Sequence, residues 1–361
     1  MYRYYLILVL TLAVPFSSMA QQQPGFNRDE YENLLAVTAQ FSNDSSAMRV
    51  RAPDGYRMLY RSPVMGLDNR WDLWITDRNV PVISIRGTTG RNISWMENFY
   101  AAMVAASGSL ILSPADTFHY HLADDPRAAV HIGWLIGMAS LRRDILRRID
   151  SCYRAGHREF YITGHSQGGA IAYLLTAYLH ALQVAHSLPA DIRFKTYCSA
   201  APKPGNGDFA AAYGAMTQSG WAYNVVNAAD WVPQTPFTVQ TVDDMATVNP
   251  FTNVAPMLQK TRWPKRWILR HVYGRLTRPA RRARKVYIRY LGHYVARSIK
   301  SYLPGFIPPA YAKTFDYVTA GNVISLVPDK NYYNMFPEDR TMIFRNHLPS
   351  AYLLLTDHMT W

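Results

Sequence analysis

The 361-residue chain contains only two cysteines, Cys152 and Cys198, so no disulfide framework can hold it together. Whether the two are bridged stays open in the sequence; two buried thiols, one ending a helix and one in a strand, is the simpler reading. No Cys/His cluster has zinc-ligand spacing and no glycine-rich phosphate loop is present, which argues against metal and nucleotide chemistry. After residue 20 no uninterrupted apolar run reaches about 18 residues, so no membrane-spanning helix is expected in the mature chain. Internal repeats and low-complexity tracts are missing too, which excludes solenoids and long disordered arms. One absence is local. Between Lys260 and Lys300 there are 14 Lys and Arg and no Asp or Glu, against a net charge of +13 for the whole chain. The basicity therefore belongs to one segment, and the rest of the chain is close to neutral.

The chain opens MYRYYLILVLTLAVPFSSMA, with Arg3 as its one basic residue, an apolar run, and small residues at Ser18 and Ala20. That layout predicts a secretory leader over residues 1–20 and an exported protein, periplasmic or secreted. Residues 21–361 then read as a single α/β domain carrying an insertion at about 250–312.

Beyond the leader, NRDEYENLLAVTAQFS predicts a helix capped by Asn27, with Asp29 and Glu30 in its first turn. GYRMLYRS, RWDLWITD and VPVISIRG predict three strands, the last short and β-branched like a central strand. Residues 90–127 show no clear periodicity. HIGWLIGMASLRRDILRRIDSCYRAG is a strong amphipathic helix ended by Gly156, and REFYITG, IRFKTYCSAAP and AYNVVNAAD read as further strands. Strands alternating with long helices predict a mostly parallel sheet with crossover helices.

In YITGHSQGGAIAY, Ser166 stands between Gly164 and Gly168, after a strand and before a helix. A lone G-x-S-x-G is common. At a strand-to-helix turn it describes a nucleophile elbow, in which small residues let strand and helix approach while the serine is held exposed. A serine hydroxyl is a poor nucleophile at neutral pH; it needs a histidine to take its proton and a carboxylate to hold that histidine. Around such an elbow these follow in the order serine, acid, histidine.

Asp230 directly follows the strand AYNVVNA, at a carboxyl end where sites collect. Asp243 and Asp244 are alternatives with no clear strand before them. Among the later histidines, His271 and His293 lie among cations that lower an imidazole's pKa, and His358 sits at the C-terminal end. His347, in a loop ahead of PSAYLLL, is the favoured base. An oxyanion hole needs two aimed donors. The backbone N–H of Gln167 is one, and Thr88, just after ISIRG, is the other, with Gly87 freeing its backbone. Read singly, each of these stretches is an ordinary turn.

Taken in order, ISIRGTTG, VHIGW, ITGHSQGGAIA, YCSAAPKPGNGDFA, VVNAADWVPQTP and NHLPSAYLL resemble the motifs of the class 3, fungal-type triacylglycerol lipases, a branch of the α/β-hydrolases. The resemblance spans roughly residues 28–240 and 315–357. It implies an α/β-hydrolase fold: a mostly parallel central sheet, helices on both faces, and here a basic helical insertion. It further implies Ser166 as nucleophile, Asp230 and His347 as its partners, Thr88 as oxyanion residue and His131 as structural. A lid would follow the RG-Thr loop, over Arg91 to Ser107 with Trp95 on it, although Gly90 and an extra residue depart from the family's spacing. Such an enzyme hydrolyses carboxylic esters, most simply of lipids, and needs no metal or organic cofactor. Phospholipase A1, short-chain esterase, acyltransferase and a catalytically silent membrane-binding protein are the alternatives.

The segment from Thr261 to Leu303, punctuated by Pro264, Gly274 and Pro279, reads as a pair of inserted helices. From Arg284 onward, Val286, Tyr287, Tyr290, Leu291 and Tyr294 fall on one predicted face, with Arg284, Lys285, Arg289, Arg297 and Lys300 on the other. Basic and aromatic residues together suit an anionic membrane surface, a cap over an acyl pocket, or nucleic acid. For an exported hydrolase nucleic acid is not expected. A cap that also makes peripheral membrane contact through Lys260–Lys300 is.

Overall fold

The computed structural model describes residues 22–41, 50–218, 220–245 and 258–357. The leader and His358 lie outside the described residues. Asn27 caps α1 (Arg28–Ala39), its side chain accepting the Glu30 N–H. There follow β1 (Arg57–Arg61), β2 (Trp71–Ile75), β3 (Pro81–Ile85), α2 (Asn92–Phe99), β4 (Met103–Ala105), β5 (Ser107–Ser113), β6 (Asp116–His121) and β7 (Ala129–His131). Next come α3 (Ile132–Arg154), β8 (Glu159–His165), α4 (Gln167–Val184), β9 (Arg193–Ser199), β10 (Gly205–Asn206), α5 (Gly207–Met216) and β11 (Ala222–Asn227). Beyond residue 258 the chain forms α6 (Lys265–Ile288), a π turn (Arg289–Tyr294), α7 (Val295–Tyr302), β12 (Tyr317–Val318), β13 (Asn322–Leu326), α8 (Lys330–Met335) and α9 (Pro349–Asp357).

Seven strands make the main sheet, in the order β1-β2-β3-β8-β9-β11-β13. β1–β2 and β2–β3 pair antiparallel, and every later pair is parallel. Helices cover both faces, as expected for an α/β-hydrolase sheet. Because side chains alternate along a strand, neighbours part to opposite cores. Val82, Tyr161, Tyr197 and Val225 pack with Leu34 and Leu35 of α1 and Ala351 and Leu355 of α9. Ile83, Ile85, Phe160, Ile162 and Cys198 pack with α3 and α4 through Leu135, Ile136, Ile171 and Leu174. Burial on both faces is why these strands read as nearly continuous apolar runs. Each buried Ile or Leu is worth roughly 1.5–3 kcal/mol.

Polar contacts tie α1 down. The Glu30 carboxylate accepts hydrogen bonds from Lys195 Nζ at 2.7 Å and from the hydroxyls of Tyr197 and Tyr161 at 2.8 Å each. Burial pushes both tyrosine hydroxyls well up from their ordinary pKa, so they remain donors.

Three features differ from the sequence reading. Residues 90–127 are ordered: α2 is followed by a small sheet in the order β12-β10-β7-β4 and by the β5–β6 hairpin. Strands of two or three residues are too short to show a period, and Ser and Gly mask the alternation of Leu110 and Leu112 against Phe118 and Tyr120. The lid expected over Arg91–Ser107 is not a free flap, because Ile93, Ser94 and Glu97 of α2 are buried. Glu97 accepts from Asn69 Nδ2 at 2.7 Å, and burial holds its carboxyl well above the usual range. Cys152 and Cys198 are both free and buried.

The third difference lies in the basic insertion. It is not a pair of helices but one rod, α6 running through Pro279 and the π turn into α7. Tyr287, Leu291, Val295 and Ile299 all face the body, each four residues after the last. An α-helix drifts about 40° at every such step, and the wider π turn takes up the drift. Arg284, expected on the solvent face, is instead buried: it donates to Thr241 Oγ1 and to Asp243.

Candidate active site

Ser166 stands between β8 and α4 with φ 60° and ψ −130°. This left-handed conformation is strained for any residue with a Cβ and survives only where packing enforces it. The glycines enforce it. A Cβ on Gly168 would lie 2.2 Å from the Ile85 carbonyl oxygen, and one on Gly164 would lie 2.3 Å from Gly168. Strand, turn and helix could not close with larger residues there.

The carboxyl ends of β3 and β11 deliver the other groups. Asp230, three residues beyond β11, is 2% exposed. Its Oδ1 accepts the Val232 N–H, while Oδ2 accepts both His347 Nδ1–H and the Tyr352 hydroxyl, each at 2.7 Å. Because Nδ1 carries the hydrogen, His347 Nε2 is left with a free lone pair. Ser166 and His347 line one cavity of about 1130 Å³, together with Thr88 and Gln167. No hydrogen bond joins Ser166 Oγ to His347 among the described residues.

The loop bearing His347 is fixed by groups that the sequence reading had not singled out. Asn227 Nδ2 donates to the Asn346 carbonyl and to the Tyr332 hydroxyl, which donates to Asn346 Oδ1. His165, beside Ser166, donates from Nε2 to the His347 carbonyl at 2.8 Å. Its Nδ1 contacts Ser199 Oγ, which in turn contacts the Tyr31 hydroxyl. Burial, with His347 close by, lowers the His165 pKa well below the ordinary range, so it is a neutral strut. Asn346 and Tyr352 lie within the NHLPSAYLL motif, Asn227 within VVNAADWVPQTP, His165 within ITGHSQGGAIA and Ser199 within YCSAAPKPGNGDFA, whereas Tyr332 and Tyr31 stand outside every motif.

Thr88 and Gln167 also form part of the cavity wall. Gly87 permits this, since a Cβ there would sit 2.9 Å from the His165 carbonyl oxygen. Thr88 Oγ1 accepts a hydrogen bond from Asn98 Nδ2 at 2.9 Å, and Asn98 Oδ1 accepts Trp134 Nε1–H at 3.0 Å. That relay leaves the Thr88 hydroxyl hydrogen free to point into the cavity. The Gln167 N–H belongs to the first turn of α4, whose amides lack intrahelical acceptors. Its side chain is held by Ser94 of α2, which accepts and donates at 3.3 Å. So α2 braces both halves of this wall.

His131 takes no part in the cavity. Its Nδ1 caps α3 by accepting the Trp134 N–H, its Nε2 donates to the Asn98 carbonyl, and its ring stacks 3.6 Å from Trp134. Burial lowers its pKa to about 3, so the ring is neutral. Asp243 is committed to Arg281 and Arg284, and Asp244 closes a capping box with Thr241. His293 packs on Tyr311 and His271 on Trp267. The mouth of the cavity is aromatic: Trp95, Phe99, Trp231, Phe237 and Phe344 line it.

No curated protein matches the chain. Solved structures similar to it include a Rhizomucor miehei lipase propeptide complex, at 18% identity and TM-score 0.42, covering 58% of this chain and 63% of that one. A Rhizomucor miehei triacylglyceride lipase gives 17% identity and TM-score 0.43, over 58% and 74% of the two chains. A lipase from Rhizopus microsporus var. chinensis gives 18% and 0.41, over 60% and 71%. The match takes in less than two thirds of the first of these. Residues 82–240 match the family described as lipase (class 3), a span running from β3 through the elbow to just past Asp230. Through that segment the chain is similar to the class 3 lipases.

Proposed function

We propose that the protein is an exported serine hydrolase that cleaves carboxylic esters of lipids, triacylglycerol or a related acyl ester. The observation that carries the reading is the 2.7 Å bond from His347 Nδ1–H to the buried Asp230, in the same cavity as Ser166 on its strained turn. Ser166 Oγ attacks the ester carbonyl carbon while its proton passes to His347 Nε2. The oxyanion is met by the Thr88 hydroxyl and the Gln167 N–H. Collapse expels the alcohol, which takes the proton from His347; water then attacks the acyl-serine by the same route and frees the carboxylic acid. No step calls on a metal or organic cofactor. Export is supported by the leader-like residues 1–20. The aromatic mouth favours an acyl chain over a polar substrate.

The test is covalent labelling with an alkyl fluorophosphonate, whose phosphorus is attacked by an activated serine with loss of fluoride. The expected product is one adduct, on the peptide carrying Ser166. Folded protein without an adduct, or one labelled elsewhere, would overturn the reading.

Thr88→Val keeps the shape of the side chain and removes its hydroxyl. It is expected to lower kcat for 4-nitrophenyl butyrate about 100-fold with little change in KM, because the bond forms only to developing charge. Asn98→Ala, which frees the Thr88 rotamer without removing the donor, is expected to give a smaller loss in the same assay.

A further inference from the structure

The inserted rod has two halves of opposite character. From Arg284 on it is built into the body, and Leu291 reaches the cavity wall. From Lys265 to Ala283, Gly274 is the one buried residue. On this arm Ile268, Leu269, Val272 and Leu276 recur at three- and four-residue spacing, so they form one stripe, and all are exposed, Leu276 by 74%. Arg270, Arg278 and Arg281 lie across the helix from them, Arg266 stands on the flank beside Leu269, and Lys265 begins the stripe side. Of these Arg281 pairs with Asp243; Arg266, Arg270 and Arg278 have no ion pair among the described residues. Trp263 and Trp267 stand exposed at the start of the arm.

A stripe of large apolar side chains held in water marks a surface made to be covered. Its occupant must take up the stripe and the arginines together. Nucleic acid would neutralise the charges and leave the stripe wet. A bilayer with anionic headgroups meets both demands at once, with tryptophan at the boundary between headgroup and acyl chain. No helix among the described residues is long and apolar enough to cross a membrane.

We propose that Lys265–Ala283 lies in the headgroup plane of an anionic phospholipid bilayer and brings the cavity to that surface. The rod is continuous to Leu291 on the cavity wall, and Phe99 and Phe237 stand exposed at the mouth. Docking needs no catalysis; only the inference that the ester attacked is a lipid of that surface rests on the hydrolase reading.

The experiment sediments the intact chain and its Ser166→Ala form with vesicles of phosphatidylcholine, or of an equimolar mixture with phosphatidylglycerol. Both chains are expected to bind the anionic vesicles at least tenfold more tightly, and high salt to weaken that binding. Leu269→Asp with Leu276→Asp is expected to lower partition at least tenfold. Arg266→Gln with Arg270→Gln and Arg278→Gln should lower it roughly 100-fold, about fivefold per charge. Neither set of changes should alter turnover of soluble 4-nitrophenyl butyrate, which also reports that the fold is intact. Equal binding to neutral vesicles, no binding at all, or leucine variants that bind like the parent would overturn the proposal; the last would point to a purely electrostatic partner such as nucleic acid. Vesicle binding without any ester turnover would leave docking standing and remove the hydrolase reading instead.

Discussion

Ser166→Ala is expected to lower kcat for ester hydrolysis by about 10⁵- to 10⁶-fold while leaving the thermal midpoint within roughly 1 °C of the parent. The two halves of this expectation have separate causes. In the proposed mechanism the hydroxyl is the attacking atom, and the neighbouring His165 cannot replace it, because it is turned to the His347 carbonyl. The stability half follows from what Ser166 does at rest. Its backbone is engaged, N–H to Ser199 and carbonyl to Gly169 and Ala170, but its Oγ makes no hydrogen bond among the described residues. Alanine therefore leaves no buried partner unpaired, and it meets the same strain at φ 60° that serine does. Steady-state turnover of 4-nitrophenyl butyrate, beside a melting curve, reads both. A loss below about tenfold would mean that another residue is the nucleophile.

The second large effect is expected at Asp230. Asparagine there keeps volume and removes charge, and the arithmetic of donors makes the substitution severe. Asp230 Oδ2 faces two donors, His347 Nδ1–H and the Tyr352 hydroxyl. If the amide nitrogen takes that position, His347 Nδ1 has to accept, so its hydrogen moves to Nε2 and the lone pair that would take the Ser166 proton is gone. If the amide oxygen takes it, geometry survives but the imidazolium formed during attack loses its counter-charge. The trypsin variant with this change loses about 10⁴ in kcat, and a loss of that order is expected here. The rate should recover partly at high pH, where hydroxide substitutes for the missing base. Tyr352→Phe tests the same oxygen from its other side, with a modest drop in kcat and an unchanged KM. A pH–rate profile for Asp230→Asn that matches the parent in height would show that His347 is oriented by something else.

What could be read from the sequence alone was local. The cap at Asn27, the β3 run ending before Gly87, the helix after VHIGW and the elbow at Ser166 depend on neighbours within a few residues. Glycines two positions either side of a serine between strand and helix have one conformational use, so the pattern names the turn. The chain order of serine, acid and histidine reduced the candidates to Asp230 and His347, because strand ends are where loops can converge.

The tertiary structure decided what depends on distant partners. His347 meets Asp230 across 117 residues and His165 across 182. Those pairings exist because β8, β9 and β11 are adjacent in the sheet, a fact that no short window contains. The same holds for the Trp134–Asn98–Thr88 relay and for Glu30 beneath the sheet. The basic insertion shows the limit most sharply. A helical wheel placed Arg284 on the solvent face, yet Asp243 and Thr241 give it a buried seat, and the π turn alters the phase of the residues after it. Periodicity says which residues share a face. Which half of that face finds the protein and which is left for another surface is settled only by packing.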